Sequence, residues 1–139
     1  MNPLKLLSYN GRTSLYLSLL KRKRFLALVR SRLKKRGIFI SKNAQFGSNL
    51  TFGHPLSIVI GDGVKIGDGV LIYQNVTIGK KNNQYPTIGN NVIIFPNVVI
   101  VGGISIGDNC VIGAGSVVLH DLPSNSVAAG NPARVIKKT

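Results

Sequence analysis

Along most of the chain a large aliphatic residue returns at every sixth position: Ile60, Ile66, Ile72 and Ile78, then Ile88, Ile94, Ile100, Ile106, Ile112 and Val118, with one wider gap between Ile78 and Ile88. Between these anchors a small or turn-forming pair recurs, as in Gly61-Asp62, Gly67-Asp68, Gly89-Asn90, Gly107-Asp108 and Gly113-Ala114. A second apolar or small residue follows four places after each anchor from Ile60 to Ile72 and from Ile88 to Ile112: Val64, Val70, Val76, Val92, Val98, Ile104, Cys110, Ser116. A six-residue period fits neither the 3.6 spacing of a helix nor the alternation of a hairpin strand. It predicts an all-β fold, a parallel β-helix of hexapeptides, in which three hexads close one triangular coil and the anchors stack inside the prism.

The repeat reaches further toward the N-terminus, since Ile40, Phe46 and Phe52 also stand six apart, and it slips by two at Ile58 so that Ile60 is the next anchor. The wide gap holds a polar run from Lys80 to Tyr85, which must leave the prism as a loop over 79–87. After Val118 the period is lost. The predicted organisation is therefore a basic helical segment over 1–37, the β-helix over 38–120 and an extended C-terminal tail over 121–139. In the first segment Ser14 can cap a helix and Gly37 can end it, with Leu15, Leu19, Leu26, Val29 and Leu33 roughly on one face.

Charge sharpens the picture of that segment. The net charge is +14, and eleven of the eighteen Lys and Arg lie in the first 36 residues, among which there is no Asp or Glu. A basic amphipathic helix can lie on anionic lipid, each cation near the surface contributing about 1 kcal/mol. It can equally pack its Leu face on the prism or on neighbouring subunits and leave its cations in water; both readings stay open. Nucleic acid is not expected as a partner, because aromatic interleaving and any known motif are absent. The single cysteine, Cys110, excludes an internal disulfide and a Cys-cluster metal site and reads as a small buried hexad residue. No apolar run approaches the ~20 residues of a membrane span, and Met1 to Leu20 lacks the apolar core and small-residue cleavage site of a leader. The expected location is cytoplasmic, at the inner face of the cell membrane if the basic helix binds lipid.

His54 precedes the phase slip, in the string Phe52-Gly-His-Pro-Leu-Ser-Ile-Val-Ile-Gly61. Together with Ile72-Tyr-Gln-Asn-Val-Thr-Ile-Gly79, Pro86-Thr-Ile-Gly, Ile112-Gly-Ala-Gly-Ser-Val-Val and Ala128-Ala-Gly-Asn-Pro-Ala-Arg, it resembles the hexapeptide-repeat acyltransferases, and among them the serine acetyltransferases. The resemblance runs from residue 46 to residue 136. It implies a left-handed coil, acetyl-CoA as co-substrate with no metal, a homotrimer, and His54 as the general base. The last role is chemically sensible on its own, because imidazole, with an ordinary pKa of about 6.5, is ready near pH 7 to take an alcohol proton as the oxygen attacks a thioester. His120, beyond the last predicted strand, reads as part of a linker.

Departures from the serine acetyltransferase pattern bear on the acceptor. The residue before the catalytic His is Asp in those enzymes and Gly53 here; a further upstream Asp aligns near Phe39; a second His, before the Pro that follows the loop, is replaced by Tyr85. A pocket without those groups has nothing to pair the ammonium and carboxylate of serine, which argues against serine as acceptor. The substrate side is expected from Gly53, Gln74, Asn75 and Tyr85, with Gln74, Asn75, Asp62 or a backbone carbonyl as candidates to orient His54. The resemblance puts the cofactor on Gly113, Ala114 and Gly115, with Asn131, Pro132 and Arg134, and Lys137 and Lys138 near the phosphates; Lys80 and Lys81 can also serve there.

The function expected from this reading is O-acetylation of a carbohydrate hydroxyl in bacterial surface polysaccharide synthesis. Serine O-acetylation and a non-catalytic trimeric scaffold are the alternatives. A nucleotide-sugar N-acetyltransferase is expected to carry an N-terminal nucleotide-sugar domain, no part of which is recognised in this sequence, and with two His in all a three-His zinc enzyme is excluded without a substitute ligand supplied in a trimer.

Overall fold

The computed structural model describes residues 26–138. A helix, α1 (Leu26–Lys34), comes first and is ended by Gly37, whose φ of 69° is open to glycine without cost. The rest of the predicted helix, including Ser14 and the Lys21–Arg24 block, lies outside the described residues. Leu33 of α1 is buried against the first strand.

From Ile38 the chain winds into triangular coils of three short strands. The first coil is β1 (Ile38–Ile40), β2 (Gln45–Phe46) and β3 (Thr51–Phe52). The second is β4 (Ile58–Ile60), β5 (Lys65–Ile66) and β6 (Leu71–Ile72); the third is β7 (Thr77–Gly79), β8 (Thr87–Ile88) and β9 (Ile93–Ile94). The fourth is β10 (Val99–Val101), β11 (Ser105–Ile106) and β12 (Val111–Ile112), and the fifth holds β13 (Val117–Val118) and β14 (Ser126–Gly130), after which β15 (Ala133–Lys138) turns back. Parallel pairing stacks the coils into three faces: face A is β1-β4-β7-β10-β13, face B is β2-β5-β8-β11, and face C is β3-β6-β9-β12-β14 with β15 at its edge. This is the expected left-handed parallel β-helix of about five turns.

Register shows why the six-residue period works. Ile40, Ile60, Ile78, Ile100 and Val118 align down face A, and Phe52, Ile72, Ile94, Ile112 and Ala128 down face C, every one buried. Each Ile, Val or Phe among them contributes about 1.5–3 kcal/mol by leaving water, and Ala128 less. Cys110 is buried as expected, its Sγ 3.1 Å from the Pro123 carbonyl oxygen.

The C-terminal segment differs from the expected extended tail. Leu122 bridges in parallel to Ile106 and is buried, and β14 pairs with β12, so the prism continues for two more faces before β15 closes an antiparallel hairpin. The period is lost at Val118 only because the next corner is two residues short.

Outside the prism the faces differ in character. Face B presents Gln45, Lys65, Thr87 and Ser105, all exposed and polar. Face A presents Phe39, Val59, Thr77, Val99 and Val117, with Phe39 48% and Val59 40% exposed.

Candidate active site

One corner of the prism, where face C turns into face A, collects most of the candidate residues. In the regular coils this corner is Tyr73–Val76, Phe95–Val98 and Gly113–Ser116. In the first coil it is two residues longer, since Ile40 and Ile60 pair across twenty positions whereas Ile60 and Ile78 pair across eighteen. The excess falls at Gly53–Ser57. There the Leu56 N–H donates to the His54 carbonyl oxygen at 2.9 Å, and the Leu56 carbonyl oxygen receives the Asn75 N–H at 3.0 Å. Pro55 is buried under this turn while His54 and Leu56 stand exposed, so the phase slip is what carries the imidazole out of the prism wall.

Below His54 runs a column of rings that inspection of the inward anchors misses. The His54 and Tyr73 rings lie 5.8 Å apart with a tilt of 52°, and Tyr73 stacks on Phe95 at 5.3 Å with planes 4° apart. Gly53, Tyr73, Phe95 and Gly113 each follow the last residue of a face C strand, so the sequence signal was the position one past each anchor.

The electrostatics of the corner are set by what is elsewhere. Asp62, on the corner between faces A and B, accepts from Asn43 Nδ2 at 2.8 Å. Asp121, on that same corner, accepts the Ser105 N–H at 2.8 Å. Asp68 and Asp108 lie between faces B and C and accept the N–H groups of Ser48 and Asn90. These are all four carboxylates of the chain, and none stands on the corner of His54. Among the described residues no group of three His, Cys, Asp or Glu is placed to hold a metal ion.

The expected substrate residues are only partly brought together. Gly53 adjoins His54. Gln74 and Asn75 share the corner one coil below, but Asn75 has a φ of 56° and donates from Nδ2 to Asn97 Oδ1 at 3.0 Å, which makes it a rung between coils rather than a partner of His54. Tyr85 is on another corner, packed over Gly61 and Gly63 where the loop rejoins face B, and within one chain it does not meet His54. Asp62 is likewise removed from the list of groups that orient His54 in the same chain.

Residues 37–80 match the family described as hexapeptide repeat of succinyl-transferase, and residues 85–120 the bacterial transferase hexapeptide family of six repeats. The serine acetyltransferase of Helicobacter pylori strain 26695 is 40% identical over 120 residues, covering 82% of this chain and 70% of the relative. That of Synechococcus elongatus is 41% identical over 107 residues, covering 74% of this chain and 44% of the relative, so the chain spans less than half of that enzyme's length. The structure of Brucella abortus serine acetyltransferase in complex with coenzyme A superposes with a TM-score of 0.78 at 34% identity, over 92% of this chain and 54% of the other. The chain belongs to the hexapeptide-repeat acyltransferases of the serine acetyltransferase type.

In this hexapeptide acyltransferase the expected cofactor residues continue down the same corner. Gly113, Ala114 and Gly115 stand three coils below His54, about 14 Å at the spacing of neighbouring strands. Gly115 has a φ of 70° and open space where a side chain would be, so the backbone there is approachable. Gly130 N–H donates to Ser116 Oγ at 3.2 Å, which brings the turn bearing Asn131 and Pro132 to the foot of this corner. Arg134 and Lys137 follow on β15, both exposed, with Arg134 Nη1 donating to the Ala133 carbonyl oxygen. Lys81 lies in the loop on the other corner, over a cavity of about 210 Å³ lined by Gln84, Gly102 and Gly103.

Proposed function

We propose that this protein is an acetyl-CoA-dependent O-acetyltransferase in which His54 is the general base. The observation that supports it most is the single corner that carries an exposed imidazole at one end and glycine-rich, approachable backbone at the other, in a chain whose relatives are serine acetyltransferases. A thioester arm laid along that corner has its carbonyl beside His54. His54 takes the acceptor's hydroxyl proton as the oxygen forms its bond to the carbonyl carbon; the carbon–sulfur bond then breaks, and the proton passes to the leaving thiolate.

For the acceptor, the relatives support serine over the surface-polysaccharide hydroxyl expected from the sequence, since serine is the substrate their names give. The carbohydrate reading is kept as the second because of one observation: the corner of His54 offers Leu56, Tyr73 and Phe95 and no carboxylate to a zwitterion. Thiol release from acetyl-CoA, measured for the wild type and His54→Ala with serine and a panel of sugars and lipid-linked glycans, tests both. Transfer to serine that is lost in His54→Ala supports the first acceptor and transfer to a glycan the second; no acceptor-dependent release with any of them rejects the enzyme and leaves a trimeric scaffold.

The proposed working unit is a homotrimer joined through the apolar face A, with face B toward water. We place it in a reducing compartment, consistent with one buried free thiol, and at the inner membrane surface through the basic segment. No helix of the described residues is long and apolar enough to cross a membrane. Sedimentation with anionic vesicles that is no stronger for the full chain than for a variant with Lys21–Arg24 changed to Gln would reject the membrane contact.

A further inference from the structure

A general base transfers protons efficiently only if its ring is held at a fixed angle to the acceptor, and an exposed His normally gains that from a hydrogen bond to one ring nitrogen. Among the described residues no hydrogen bond reaches the His54 imidazole, and the four carboxylates are occupied on the other two corners by Asn43, Ser48, Asn90 and Ser105. What touches the ring is Tyr73, at 5.8 Å and 52°. Tyr73 is itself packed on two sides. Its ring fills the notch left by Gly53, where a methyl group would fall 2.7 Å from Cε1 and 2.8 Å from Cδ1, and its other side is stacked on Phe95.

We propose that Tyr73 is the positioning residue of His54, fixing the imidazole plane by ring packing in a column braced by Gly53 above and Phe95 below. Gly53 then has a steric purpose: any side chain there would displace the ring that holds the base. The phenol hydroxyl has no part in this, so Phe should serve as well as Tyr. The proposal rests on His54 being the base, and its test separates the two.

The experiment compares wild type, Tyr73→Phe, Tyr73→Leu, Gly53→Ala and Asp62→Asn in acetyl transfer, and records the His54 ring protons by NMR, with His120 as the internal reference. Tyr73→Leu and Gly53→Ala are expected to lower kcat by about threefold to tenfold with KM for acetyl-CoA little changed, while Tyr73→Phe and Asp62→Asn keep the wild-type kcat. The His54 ring-proton shifts, displaced by the Tyr73 ring current, should move toward those of an unpacked His in Tyr73→Leu and stay in Tyr73→Phe. Unchanged kcat in Tyr73→Leu overturns the proposal, as does a fall in Asp62→Asn as large as that in Tyr73→Leu, which would point to a carboxylate brought by a second copy. Should the wild type transfer no acetyl group, the function above fails, and the NMR comparison still decides whether Tyr73 holds the ring.

Discussion

Tyr85 packs against Gly63: a methyl group built on Gly63 would come within 2.5 Å of Cδ2 and 2.9 Å of Cγ of the tyrosine ring. The loop that breaks the hexad period is thus tied back to the coil above it by a half-buried aromatic packed on the core. Gly63→Ala forces the ring away and is expected to cost about 1–3 kcal/mol, the usual range for overpacking. Urea unfolding followed by circular dichroism checks this. Tyr85→Ala, which leaves the glycine alone, should destabilise as well, and the pair together should fall short of the sum because both act on one contact.

The corner between faces B and C is stitched by side chains that take the place of a strand partner. Asp68 accepts the Ser48 N–H, Asn90 Oδ1 accepts the Asp68 N–H at 2.8 Å, Asp108 accepts the Asn90 N–H at 2.7 Å, and Ser124 Oγ accepts the Asp108 N–H at 3.0 Å. Because an amide oxygen already fills this role at Asn90, Asp108→Asn is expected to unfold within about 0.5 kcal/mol of wild type. Asp108→Ala removes the acceptor, and since Asn90 is exposed and water can replace it, the loss should stay near about 0.5–1 kcal/mol. Equilibrium unfolding of the two variants side by side distinguishes a role of shape and acceptor from one of charge.

Much of this architecture was legible in the hexad spacing, and the places where it was not share a cause. Anchors point inward and must be apolar, so the six-residue spacing runs from Ile40 to Val118, broken only by the slip before Ile60 and the loop before Ile88. Leu122 does the same work four residues after Val118, and the shortened corner hid it, which is why the tail was expected to be extended rather than a continuation of face C. Corner residues carry no fixed chemistry, so Tyr73 and Phe95 emerge only when the position after each face C strand is compared from coil to coil. The insertion at Gly53–Ser57 interrupts that comparison at its first member. Tyr85 is expected at the substrate because it takes the place of a second His before Pro86; within one chain, register puts it on a different corner from His54, because the long loop joins face A to face B.

The stacked core makes a direct prediction about cooperativity. Ile94 is fully buried between Ile72 above and Ile112 below, at the middle of face C. Ile94→Ala opens a cavity that neighbouring coils cannot close without breaking their parallel pairing, so its cost is expected at about 2–5 kcal/mol. Ala128, at the foot of the same column, already shows that a small residue is tolerated where no further coil stacks below. Ala128→Ile, by contrast, overfills a site sealed by the hairpin and should destabilise by about 1–3 kcal/mol. Denaturant midpoints of both variants check the pair.

The faces of the prism predict where copies of the chain meet. Phe39 and Val59 are neighbours on face A, both substantially exposed, in line with Thr77, Val99 and Val117. A charge placed in that stripe would be desolvated by a second copy, whereas a charge on face B, where Lys65 already stands, would remain in water. Val59→Glu is therefore expected to shift the mass measured by light scattering from that of the proposed trimer toward that of a monomer, and Thr87→Glu to leave it unchanged. The far-ultraviolet circular dichroism of Val59→Glu should match wild type, since Val59 faces out and the buried anchors on either side, Ile58 and Ile60, are untouched. Acetyl transfer should fall with the mass if a second copy's Tyr85 corner completes the site, because one chain holds Tyr85 and His54 apart. A variant that remains trimeric would show that face A is not the contact.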